Sequence, residues 1–173
     1  MANTYTLISS NVLGSSAASV TFSSIPATYT DLVLRMSARC TTAANNMVLG
    51  LRINGLSTTI YSNTFLQGTG SAASSGASAT QTELNGNTFQ GDATTANTFT
   101  SIEFYIPSYT VAQNKPISGI SSGENNATAA LTKATANLIR STATISSIFL
   151  FEQSSAALFS SGSSFYLYGI KNS

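Results

Sequence analysis

The stretch LVLRMSAR, residues 32–39, decides the fold class. Leu32, Leu34, Met36 and Ala38 fall on one side of an extended chain, with Arg35, Ser37 and Arg39 on the other. Side chains of a strand alternate between its two faces, so this period of two marks a strand with one buried face. Working outward, Met47, Leu49, Leu51 and Ile53 repeat the pattern against Val48, Gly50 and Arg52. Ile102, Phe104 and Ile106 repeat it against Glu103 and Tyr105. The short apolar and aromatic runs at 146–151 (SSIFLF) and 165–170 (FYLYGI) suit buried strands. Weaker strands are expected at 5–13, 19–22, 58–66, 82–89, 117–121 and 131–140.

Turn signals separate these runs. Asn54-Gly55 and Asn85-Gly86 each suit a tight hairpin, because both residue types tolerate positive φ. Pro26, Pro107 and Pro116 stand at the margins of runs, where a missing amide proton breaks no central ladder. Residues 68–79 (GTGSAASSGASA) are low in complexity and read as a mobile surface loop. Residues 125–136 are Ala-rich but lack an apolar stripe, so they read as a loop leading into a strand. Residues 154–159 are too short for more than a turn. About ten short strands must bury their apolar faces against one another, and two packed sheets do this most economically. The expectation is all-β: a two-sheet antiparallel β-sandwich, jelly-roll-like, forming a single domain over residues 1–173. An immunoglobulin-type sandwich fits less well, since the chain has no Trp and one Cys.

Composition narrows the function. Charged residues make up 8% of the chain, against about 25% in ordinary soluble domains. A hydrophobic fraction of 42% is too high for disorder. The surface is therefore expected to be neutral and rich in hydroxyls. The seven Lys and Arg are scattered and the net charge is +1, so no nucleic-acid partner is expected. No apolar run is long enough to cross a membrane, and the start MANTYTLISSN has no secretory pattern, so synthesis in a cytoplasm is expected. Cys40 is alone and reads as a small buried hydrophobe or a free thiol. So little net charge also suits a protein that spends its life inside an assembly.

The search for chemistry ends mostly in absences. Without His, the Ser-His-Asp and Cys-His arrangements and Cys/His zinc sites cannot form. There is no phosphate-binding glycine loop, and no cofactor is expected. Six carboxylates remain: Asp31, Glu83, Asp92, Glu103, Glu124 and Glu152. Glycoside hydrolysis needs two of them roughly 5–10 Å apart. No two share a strand at the spacing that would put them on one face, and Asp92 stands too far from other acids for calcium. No catalytic, cofactor or metal residue is assigned. Phe149, Phe151, Phe165, Tyr166 and Tyr168 could form a sugar-stacking platform, but core or subunit contact is the commoner fate. Tyr61, Tyr105 and Tyr109 are the better surface candidates. The sequon Asn126-Ala127-Thr128 has no meaning without a signal peptide.

Residues 5–39, YTLISSNVLGSSAASVTFSSIPATYTDLVLRMSAR, resemble small virion proteins of tailed bacteriophages, including those infecting cyanobacteria and other aquatic bacteria. RINGL (52–56) occupies the place of a hairpin in that pattern, and the close RSTATISSIFLF (140–151) and SSFYLYGIKNS (163–173) is similar as well. The chain departs from it at LIRS (138–141), where a Trp-containing segment belongs. The resemblance implies a non-enzymatic β-sandwich of the virion, a capsid decoration (cement) protein binding between subunits of the major capsid protein. A tail-fibre module recognising host polysaccharide is the alternative, and a carbohydrate-degrading sandwich the alternative of another class. By analogy with jelly rolls that associate around threefold axes in virions, a homotrimer is expected.

Overall fold

The computed structural model describes residues 5–124, 126, 130–154 and 157–171. Twelve strands follow in order: β1 (Tyr5–Val12), β2 (Ser19–Phe22), β3 (Asp31–Ala38), β4 (Asn46–Ile53), β5 (Tyr61–Gly68) and β6 (Ala73–Gln81), then β7 (Thr88–Gln90), β8 (Thr100–Ile106), β9 (Lys115–Gly123), β10 (Leu131–Ile139), β11 (Ile148–Glu152) and β12 (Ser164–Ile170). They form an eight-stranded sheet, β1-β12-β3-β8-β9-β10-β5-β6, and a four-stranded sheet, β2-β11-β4-β7. All pairings between named strands are antiparallel.

The pairing is nested. β1 pairs β12, β2 pairs β11, β3 pairs β8 and β4 pairs β7. These strands make one long antiparallel hairpin rolled onto itself, which is the jelly-roll arrangement. Two hairpins are inserted into it, β5–β6 between β4 and β7, and β9–β10 between β8 and β11. They pair with each other through β10 and β5 and extend the larger sheet beyond β8.

The deciding stretch sits at the centre. Leu32, Leu34, Met36 and Ala38 of β3 are buried, and Arg35 and Ser37 are exposed. Their cluster takes Phe165 and Leu167 from β12, Phe104 and Ile106 from β8, and Leu51, Ile53 and Leu150 from the facing sheet. Each fully buried Leu or Phe contributes about 1.5–3 kcal/mol of transfer free energy, so this inter-sheet layer dominates stability.

Several local expectations are corrected. Asn54 and Gly55 do take left-handed conformations, φ 51° and 68°, but the turn joins no hairpin. It sends the chain from the smaller sheet to the larger, and the Asn54 side chain fastens it by accepting from the Ser146 and Ser147 amides and donating to Thr144 O. At Asn85-Gly86 there is no hairpin either. Residues 82–87 cross the inner face of the sheet extension, and Gly86 lies so close to Thr135, Asn137 and Asn63 that a Cβ would crowd all three. Residues 68–79 are mostly strand: β6 pairs β5 from Gly68↔Ala73 to Asn63↔Ser78, leaving 69–72 as the turn. A strand of Ala, Ser and Gly is ordered by its backbone ladder and leaves no alternation to read. Pro116, by contrast, keeps to the margin as expected: it is the second residue of central strand β9, and β8 joins β9 only from Ser118 onward. For the stretches read as loop and turn, residues 125, 127–129, 155 and 156 lie outside the described residues, and Leu131–Ile139 is the strand that follows.

Candidate interaction surface

The outer face of the eight-stranded sheet is the largest continuous surface the topology creates. The register places one residue from each strand in a row across it: Ser10, Tyr166, Arg35, Glu103, Ile120, Ala134, Leu66 and Ser75. Of the eight large hydrophobic residues exposed among the described residues, six lie on this face: Tyr5, Leu7, Val12, Leu66, Tyr105 and Ile120. The other two, Val111 and Leu158, are in loops.

Two opposite charges on the face pair with each other. Arg35 and Glu103 sit opposite each other on β3 and β8, with Arg35 Nε 2.7 Å from Glu103 Oε2. That hydrogen bond raises the guanidinium pKa above its ordinary value. Arg35 also lies 5.5 Å from the centre of the Tyr5 ring, which meets Tyr168 edge-on, and Tyr168 stacks with Tyr166. Tyr105 OH donates to Asp31 Oδ2, and this bond raises the phenol pKa. Asp31 Oδ1 accepts from the Ser108 amide. The ion pair is exposed and contributes under about 1 kcal/mol to stability. Its effect is to leave Arg35 and Glu103 with no net charge between them at the middle of the face.

The structure disperses the carboxylates. Asp92 pairs with Arg39, Glu152 accepts from the Ser154 amide and hydroxyl, and Glu124 accepts from the Asn126 amide. Glu83 binds Arg52 Nη2 at 2.9 Å, with Thr82 Oγ1 and Gln153 Nε2 also donating to it. Burial pushes its pKa up, but these three hydrogen bonds outweigh burial and hold it below the ordinary carboxylate range. Glu83 and Glu152 do line one surface depression beside Asn46 and Gln153, a proximity their spacing in the chain concealed. Both are nevertheless committed to local partners. No group of three or more His, Cys, Asp or Glu among the described residues could hold a metal ion.

The aromatic candidates divide. Tyr105 is on the surface as expected, whereas Tyr61 and Tyr109 are fully buried. Each carries its hydroxyl into the core because backbone groups meet it there. Tyr61 OH accepts from Ile53 N and donates to Leu56 O; Tyr109 OH accepts from Tyr29 N and donates to Pro26 O. Phe165 is core, packed on Phe159. Phe149 and Phe151 stack on the outer face of the smaller sheet, where Arg52 covers Phe151 at 4.6 Å. Cys40 is buried, and burial raises its thiol pKa. Of the sequon, only Asn126 lies among the described residues.

Sequence reading missed a polar layer inside the extension. Lys133, Thr135 and Asn137 of β10 point inward and are buried, while Thr132, Ala134 and Ala136 face out. Thr135 Oγ1 donates to Asn87 Oδ1, and Asn137 Nδ2 donates to Thr135 Oγ1 and Ile117 O. Lys133 Nζ lies 3.9 Å from the centre of the Phe65 ring. Lys115, at the start of β9, is fully buried and donates to the Val111 and Gln113 carbonyls.

Burial lowers the pKa of Lys115 in the folded protein, while the unfolded value stays at about 10.4. Between the two values the unfolded chain holds more protons, so this lysine's contribution to stability rises with pH across that window. Urea titrations of wild type and Lys115→Met toward pH about 10 should show the wild type gaining on the variant. The opposing ionisation of Cys40 is common to both proteins and cancels. A constant difference at every pH would contradict the assignment.

No protein-family model matches this chain, and no curated protein matches it.

Proposed function

We propose that this chain is a non-enzymatic structural protein of a tailed-bacteriophage virion, a capsid decoration protein that binds between subunits of the major capsid protein through the outer face of its larger sheet. The observation that carries the reading is the placement of six exposed hydrophobic residues on that face, with Arg35 and Glu103 paired to each other among them. Exposed large apolar side chains collected on one broad sheet face suit a contact site, and few unpaired charges suit a contact that persists. The local commitment of every candidate carboxylate and the resemblance of both chain ends to phage virion proteins support it.

The test is occupancy and binding. Gel densitometry of purified particles should give hundreds of copies per particle; a few copies would favour a tail component. Ile120, at the middle of the row and 48% exposed, is the residue to change. Ile120→Glu should leave the thermal transition in place and abolish rebinding to particles lacking the protein. Rebinding equal to wild type would remove this face from the contact.

A further inference from the structure

We propose that β6 is a self-recognition edge, at which two copies pair antiparallel about a two-fold axis through Gly76 and join their larger sheets into one. The inference does not depend on the virion reading, and it stands in place of the threefold association expected from that resemblance. β6 ends the strand order, so one side of its backbone pairs with β5 and the other presents a row of amide and carbonyl groups with no strand beside it among the described residues. Folded proteins usually protect such an edge with lysine, proline, a bulge or short length. β6 is nine residues long and has neither charge nor proline. Its register irregularity falls opposite Tyr61–Asn63, at its C-terminal end, leaving Ala73–Ser78 in regular register. The opposite edge, β1, has its irregularity mid-strand between Leu7 and Ser9. Of the two edges, β6 is the one left open.

The sequence of the edge identifies the occupant. A two-fold contact must be self-complementary. Outward from Gly76, the residues brought face to face within the regular stretch are Ser75 with Ala77 and Ser74 with Ser78, all of them small. Phe65 adds a centre to the seam. Its ring lies over Gly76 so closely that a Cβ there would stand 2.7 Å from Cζ, and the ring therefore reaches to the sheet edge. Paired strands lie about 4.8 Å apart, so the two-fold brings the Phe65 rings of both copies together over a pair of glycines. A charged partner would find no complementary charge on β6, and a second copy meets no repulsion. The backbone hydrogen bonds are those of strand addition.

Charge reversal tests the register. Ser75 and Ala77 are exposed, share a face, and stand opposite each other's counterparts across the proposed axis. In the S75K/A77K variant like charges meet directly; in S75E/A77K opposite charges meet. Light scattering after size exclusion should give wild type and S75E/A77K the mass of a pair or an even multiple, and S75K/A77K half of it. Both variants should unfold in one cooperative transition, S75E/A77K at the wild-type temperature and S75K/A77K lower by the pairing contribution it has lost. Should either fail to fold, hydrogen exchange on wild type decides, with alternate amides of Ala73–Ser78 gaining protection as concentration rises. A monomeric or odd-numbered wild type, equal masses for the two variants, or no concentration-dependent protection would overturn the proposal.

Discussion

Leu34→Ala should lower the free protein's stability by about 2–5 kcal/mol, while Arg35→Ala, one residue on, should change it by under about 1 kcal/mol. Leu34 has no exposed surface and sits in the inter-sheet cluster, in register with Leu167 on one side and Phe104 on the other. Truncation loses the transfer energy of its side chain and leaves a cavity between strands that cannot close without moving the whole sheet. Domains of this kind have about 5–15 kcal/mol in hand, so the loss should appear as a large fall in melting temperature. Arg35 points to the opposite face, where its bond to Glu103 competes with water. Calorimetry on both variants separates the two cases, and equal shifts would mean that Arg35 is as buried as Val33, two residues before it on the same face. If Arg35→Ala instead weakens particle binding with melting unchanged, the outer face of this strand is a contact.

How far the sequence could be read follows from where polar and apolar residues were put. β3, β4 and β8 bury a face of Leu, Ile, Met and Phe, and alternation exposes them at once. In β10 the alternation is inverted, with Lys133, Thr135 and Asn137 inside and Ala134 and Ala136 outside, so a reading based on hydrophobicity points the strand the wrong way or not at all. The inversion is tolerable because the inner face of the extension meets the polar segment at Asn85 and Asn87, which supplies hydrogen bonds where the smaller sheet supplies apolar contacts further in. The surface was legible only in part. Tyr105 and Arg35 could be placed from strand parity, but their gathering with Leu7, Ile120 and Leu66 depends on strand order, and β5 and β9 are brought to that sheet by two inserted hairpins that no local pattern announces. Tyr61 and Tyr109 show the reverse error, since a phenol enters a core wherever a backbone amide and carbonyl are left for it.

Arg39→Met should cost about 2–4 kcal/mol, although strand parity alone would assign Arg39 to the solvent with Arg35 and Ser37. β3 ends at Ala38, and Arg39 bridges to Gln90 with its side chain only 6% exposed. Its Nη1 donates to Thr94 Oγ1, Thr95 O and Thr98 O, and its Nη2 to Thr94 O and Asp92 Oδ1. These acceptors belong to the segment that carries the chain from β7 in the smaller sheet to β8 in the larger, so one guanidinium organises a crossover between the two layers. The carboxylate is the minor partner. Asp92 is 65% exposed, and water screens its attraction, whereas the Thr94 hydroxyl lies in a buried contact with Arg39. Asp92→Asn should therefore cost less than about 1 kcal/mol. Methionine keeps much of the arginine's volume but leaves three carbonyls of the crossover without their charged donor, and each hydrogen bond to a charged group is worth about 1.5–3 kcal/mol before water recovers part of it. Denaturant titrations of the two variants test the ranking, with hydrogen exchange on residues 92–98 reporting whether the loss is local. Equal losses would make the ion pair the important contact, and an unchanged Arg39→Met would mean that the crossover is held by its turns alone.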